Sequence, residues 1–193
     1  MKRMITNRKV TEFLVLTCDP SLTAWGWVIV RLRDDLIVDK GCIKTEPQHK
    51  KLRTRVGDDR CRRISELNKQ LLHKVKMFKV GYIVSEQPHG SQSAVSAVMV
   101  GITLGVMQTM ADVLNIGIEW YSEADAKKAL LGKKAAVKKE TINAINKLYK
   151  VDWKGVKYVD EAVADAMAVY HAAVQQSPAL KMIKANEQRL YNS

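Results

Sequence analysis

The chain has 193 residues, with 32 Lys and Arg against 20 Asp and Glu, a net charge of +12. Its 47% hydrophobic content fits one globular domain and excludes a disordered chain, while the positive excess points to a polyanion such as nucleic acid or to an anionic membrane surface. No run of 18 or more apolar residues predicts a membrane span, the basic start Met1-Lys2-Arg3-Met4 lacks the apolar core of a signal peptide, and Cys18, Cys42 and Cys61 have no zinc-ligand spacing, so they read as reduced thiols of a cytosolic protein.

Residues 1–12 are polar and read as a flexible N-terminus, followed by one domain over 13–176 and a polar C-terminal tail over 177–193. The apolar run Phe13 to Cys18 is too short and too β-rich for a helix, and it stops at Asp19-Pro20-Ser21. A second run, Trp25 to Val30, returns beside it, and Leu36 to Ile43 is a third strand, giving an antiparallel meander. Lys50 to Met77 carries apolar residues at three- and four-residue intervals, the pattern of an amphipathic helix. Its first part holds Arg53, Arg55, Arg60, Arg62 and Arg63, a density of one sign that suits a phosphate-facing surface and could otherwise be a solvated face.

Val80 to Ser85 reads as a strand ending at Glu86, and Pro88, His89 and Gly90 break the chain. Ser91 to Leu114 is a long helix apolar on most sides, hence buried or shared with a partner; Gly101 and Gly105 would permit close helix approach. Ile116 to Tyr121 is a further strand, and Ser122 or Asp125 caps a helix ending at Leu130-Leu131-Gly132. A basic loop and helix start follow, with Lys133, Lys134, Lys138 and Lys139, then a helix over Val159 to Val174 rich in alanine.

Two predicted strands end in an acid, Asp19 and Glu86. Asp19 reads either as turn chemistry or as a functional carboxylate. The last helix adds Asp160, Glu161 and Asp165, and the four-residue spacing of Glu161 and Asp165 puts them on one face. Capping competes with function for Asp160, at the helix start, more than for Asp165, in mid-helix. If the two strands are neighbours, four carboxylates meet at one spot, where hard divalent cations such as Mg²⁺ or Mn²⁺ would relieve their repulsion. Two such ions suit hydrolysis of a phosphodiester.

The segments Val15-Leu16-Thr17-Cys18-Asp19-Pro20-Ser21 with Gly26, Ile83-Val84-Ser85-Glu86-Gln87, Lys127-Lys128-Ala129-Leu130-Leu131-Gly132 with the basic Lys133 to Lys139, and Asp165-Ala166-Met167-Ala168 occur in this order. Together they resemble RuvC-type Holliday-junction resolvases over residues 13–175. The resemblance implies an α/β, RNase H-like fold with a mixed five-stranded sheet, its first three strands antiparallel, flanked by helices. It implies a homodimer that cuts branched DNA in paired nicks in the cytosol of a bacterium or phage-infected host, using Mg²⁺ or Mn²⁺, two ions per site, and no small-molecule cofactor. By motif, Asp19, Glu86 and Asp165 carry over as catalytic metal ligands. The family's fourth ligand, three residues before the last Asp, falls here on Ala162; Glu161 is the nearest substitute, with Asp160 in reserve. His89 stands where some members place a base-stacking wedge, and Lys127, Lys128, Lys133, Lys134, Lys138 and Lys139 join the arginines as DNA contacts. The long helix implies a dimer interface through Ser91, Val95, Val98, Met99 and Ile102. A flap, branched-DNA or RNA-hybrid nuclease of the same fold, and a non-catalytic DNA-binding module, stand as alternatives; an ATPase of the related kinase-like superfamily lacks its glycine-rich phosphate loops here.

Overall fold

A computed structural model describes residues 12–87 and 93–192. Strand β1, Leu14–Asp19, is buried in its first five residues. It is the middle of a five-stranded sheet with spatial order β3-β2-β1-β4-β5. Strands β2, Ala24–Arg31, and β3, Leu36–Lys44, form the antiparallel meander with β1. Strands β4, Tyr82–Gln87, and β5, Gly117–Ser122, run parallel to β1 on its other side. The sheet is therefore mixed, with the expected antiparallel half.

Helices cover both faces, which is why β1 lacks the polar-out alternation of a half-solvated strand. On one face Leu14, Leu16, Cys18, Trp25, Trp27 and Ile29 pack under helix α1, Val56–Phe78, and helix α2, Ala94–Leu114. On the other, Val15, Val28, Val30 and Val84 pack under helix α5, Lys157–Gln176. Helices α3, Glu123–Leu131, and α4, Lys138–Leu148, lie against α5. The alanines of α5 let its backbone settle on the sheet, and Thr17 Oγ1 donates to the Ala166 carbonyl at 2.6 Å. The cysteines are free thiols, and burial pushes that of Cys18 up to about 12.

Three expectations need correction. Residues 50–55 are not part of α1: Lys50–Leu52 is a 3-10 turn and Arg53 has a φ of 48°, so the helix starts at Val56. The expected polar tail over 177–193 is instead helix α6, Pro178–Asn192. Proline is tolerated at a helix start because its missing N–H has no intrahelical acceptor there. Ser177 Oγ accepts from the Leu180 N–H, and the buried Leu180 and half-buried Ile183 dock on the α5 core. Glu187 accepts the Phe13 N–H at 2.7 Å, and Lys184 pairs with Asp35 at 2.6 Å. Leu180→Ala should cost about 2–5 kcal/mol in denaturant unfolding; a loss below about 0.5 kcal/mol would mean that α6 is not docked.

The third concerns α2, which is long and apolar enough to cross a bilayer by length and composition alone, against the expectation of no such segment. It packs against the sheet and α1 through Thr103, Met107, Met110 and Ala111 and leaves most of its remaining surface open.

Candidate active site

The sheet register sets the first part of the site. β1 and β4 run parallel with Cys18 opposite Ser85, so Asp19 and Glu86 follow at the same level on adjacent strands. Side chains alternate along a strand. Val15, Thr17 and Val84 face α5, so Asp19 and Glu86, at even spacing from them, point to that side as well. On β5, Tyr121 is level with Glu86 and also belongs to the α5 side. Two residues on, Glu123 opens α3, whose cap is Ser122 Oγ accepting the Asp125 N–H at 3.0 Å.

Helix α5 brings Asp165 to the same edge. Its close seating depends on Gly26, the partner of Asp19 in the β1–β2 ladder. A Cβ on Gly26 would stand 2.3 Å from the Ala162 carbonyl oxygen. Asp165 is buried, and its carboxylate is held by the ammonium of Lys138, the first residue of α4.

The charges at this edge act on one another. Burial, then the Asp165 charge, push the Asp19 carboxyl up to about 7, with Lys138 opposing. Burial, then the charges of Asp19, Glu123 and Asp165, push Glu86 up to about 8. Asp165 is raised by burial, with Lys138 and Lys127 opposing. Burial works against the charge of Lys138, but the Asp165 carboxylate outweighs it and its pKa is raised. Among the described residues, no hydrogen bond or ion pair reaches the Asp19 carboxylate, a costly state for a half-buried anion.

The chemistry of this set suits a hard divalent cation: carboxylates from three elements act on one another at one edge of the sheet, and their mutual repulsion is only partly answered by Lys138. Among the described residues the side chains are not already closed around a common point as a metal cage. A cation would take over from Lys138 at Asp165.

The other expected site residues divide clearly. Asp160 is drawn away, accepting the Lys154 N–H at 3.0 Å. Glu161 is half-buried on α5. Ala162 is buried against β2. Glu123 was not anticipated; the signal available was an acid two residues after the strand expected over Ile116 to Tyr121. His89 and Ser91 lie outside the described residues.

On the basic side, Lys128, Lys133, Lys134, Lys138 and Lys139 are exposed, with Lys138 at the acidic edge and Lys133 paired with Glu140, and Lys127 lies half-buried beside Glu123. Arg53, Arg55 and Arg62 are exposed, although Arg55 pairs with Asp58 and Arg62 with Asp59. Arg60 is half-buried. Arg63 does not belong to a phosphate-facing surface. It is buried, donating to Thr45 Oγ1 at 2.9 Å and to the Leu22 carbonyl and Thr23 Oγ1 at 3.2 Å, so it ties α1 to the turn after Asp19. A buried guanidinium needs such acceptors, and its sequence neighbours gave no hint of them.

A mixed five-stranded sheet between helices, with acids at the shared ends of β1 and β4 and on the last core helix, defines an RNase H-like nuclease architecture. The family model for crossover junction endodeoxyribonuclease RuvC matches residues 15–171, and the chain belongs to that family. The RuvC enzyme of Ehrlichia canis is 23% identical over 154 residues, covering 79% of this chain and 93% of that one. That of Shewanella oneidensis is 25% identical over 166 residues, covering 85% and 89%. Among solved structures, Thermus thermophilus RuvC in complex with Holliday junction substrate has a TM-score of 0.67 at 19% identity, covering 89% of this chain and 97% of that one. The yeast mitochondrial Holliday junction resolvase Ydc2 has a TM-score of 0.59 at 11% identity, covering 91% and 83%. At these identities the structural likeness establishes the fold.

Proposed function

We propose that the protein is a divalent-metal-dependent endonuclease that binds Holliday junctions as a homodimer and resolves them by paired nicks. The observation that carries this reading is the convergence of Asp19, Glu86 and Asp165 at one edge of the sheet, with Asp19 unpaired beside them. Asp19, Glu86 and Asp165 would hold Mg²⁺ or Mn²⁺, two ions per site. Bound there, the metal would polarise the phosphodiester and make a water nucleophilic at neutral pH. Lys138 neutralises Asp165 in the metal-free protein and becomes available to a DNA phosphate once a cation replaces it. The exposed lysines of 128–139 hold the polyanion around the acidic centre.

The test is a gel assay of purified protein on a mobile four-way junction with Mg²⁺, with Mn²⁺ and with EDTA. Paired cuts in opposed strands, dependent on metal, are expected. Equal cutting in EDTA would overturn the metal reading, and preference for flaps or RNA hybrids over the junction would overturn the substrate. Junction binding should weaken at least about tenfold between about 50 and 200 mM salt, because phosphate contacts release counterions; a flat response in a binding titration would contradict the basic surface.

Helix α2 supplies the dimer seam in this reading. Val95 and Val98 are each 54% exposed, with Met99 and Ile102 half-buried beside them. An added Cβ on Gly101 or Gly105 would meet nothing within 4 Å, which leaves room for a partner helix. A two-fold pair presents two identical sites to the opposed strands of a junction. Val98→Asp should convert a sedimenting dimer to monomer without lowering the secondary-structure content; a dimer that survives it would place the seam elsewhere.

A further inference from the structure

We propose that Glu123 is the fourth acid of the metal centre, in the role that Ala162 leaves vacant on α5. This rests on the metal-nuclease reading above and deepens it. Three parallel strands, β1, β4 and β5, end at the same edge of the sheet and each carries an acid there: Asp19 is the last residue of β1, Glu86 the last but one of β4, and Glu123 directly follows β5. Strand parity directs the first two toward α5, and Tyr121, two residues before Glu123, faces the same way. Glu123 is the first residue of α3, a helix packed on α5 beside Asp165. A glutamate there has a long side chain, is more than half exposed, and can turn inward without disturbing the core.

Two further observations support it. The Glu123 charge acts on Asp19, Glu86 and Asp165 alike, and Asp160 is engaged with the Lys154 N–H. The Asp19 carboxyl has no hydrogen-bonding partner among the described residues, and the Glu123 charge is among those that raise it. In the metal-free protein two lysines stand against this acidic edge: Lys138 pairs with Asp165 and Lys127 pairs with Glu123. Divalent ions would displace both pairs by the same exchange.

The test is Mn²⁺ binding to the full chain, followed by electron paramagnetic resonance and titration calorimetry without DNA. Glu123→Gln should weaken binding at least about tenfold or remove one of the bound ions, as Asp165→Asn does, while Glu161→Gln stays within about twofold of the parent. Melting curves check that each variant folds. A positioning role through Lys127 is distinguished by the double variant Glu123→Gln with Lys127→Met. If Glu123 only restrains Lys127, removing the lysine restores the parental affinity and overturns the proposal; if it is a ligand, the double variant stays weak. Unchanged Mn²⁺ binding in Glu123→Gln alone, with Asp19→Asn and Asp165→Asn weakened, overturns this proposal and leaves the nuclease reading standing. Absence of Mn²⁺ binding in the parent overturns both.

Discussion

Asp19→Asn, Glu86→Gln and Asp165→Asn should each lower junction cleavage in Mg²⁺ by more than about a hundredfold while leaving junction binding intact or slightly tighter. The side chains are nearly isosteric, so packing at the sheet edge is kept, and each change removes one negative charge from a protein already at +12. Phosphate contacts made by the surrounding lysines therefore persist. Parallel gel-shift and cleavage assays separate the two effects, and a variant that cuts at the parental rate loses its assignment as a ligand. Asp19→Asn should also stabilise the metal-free fold. The Asp19 carboxyl is raised by burial from the usual range to about 7, so the folded state binds a proton that the unfolded chain has released. Its favourable contribution is full below about pH 4 and is lost as pH rises through about 7. Between pH 5.5 and 8, metal-free wild type should lose stability relative to Asp19→Asn, and Mg²⁺ should close that gap. His171 is held neutral by burial and acts in the opposite direction below its ordinary range, so the informative quantity is the difference between the two proteins at each pH. A gap that does not change with pH would mean the carboxylate is well solvated.

The strands were legible because each is a short apolar run with a definite stop, and Asp19-Pro20 and Glu86 mark those stops in plain view. The parity that turns both acids toward α5 follows from the same runs once their pairing is known. What the sequence concealed are contacts between distant segments. Arg63 looks like one more charge in a basic stretch until its acceptors, Leu22, Thr23 and Thr45, are brought beneath it by the fold. Helix α6 hides because its buried positions, Leu180 and Glu187, are few, and Glu187 reads as solvated until it meets the Phe13 N–H. Glu123 hides for a different reason. Its spacing from the other acids along the chain is uninformative, and only the parallel pairing of β4 with β5 places it at their edge.

Gly26→Ala should lower stability by about 3 kcal/mol, more than an ordinary overpacked site, and abolish cleavage with it. The added methyl would lie 2.3 Å from the Ala162 oxygen, 2.7 Å from its carbonyl carbon and 2.9 Å from its Cβ. Two of these are backbone atoms of a buried helix, so no side-chain rotation can relieve the contact. Helix α5 would have to lift off β2 at its N-terminal end, against the Thr17 to Ala166 hydrogen bond and the alanine packing around it. Asp165 lies on that same stretch of helix, and Asp19 is the strand partner of Gly26, so the displacement acts at the proposed metal centre. For a domain of this size the melting temperature should fall by about 6–12 °C. Gly57→Ala is the control: its Cβ meets nothing within 4 Å in the first turn of α1, so helix propensity alone should leave stability equal or slightly higher. Should Gly26→Ala melt with the parent and cut at its rate, the close seating of α5 on β2 would be wrong, and the position of Asp165 with it.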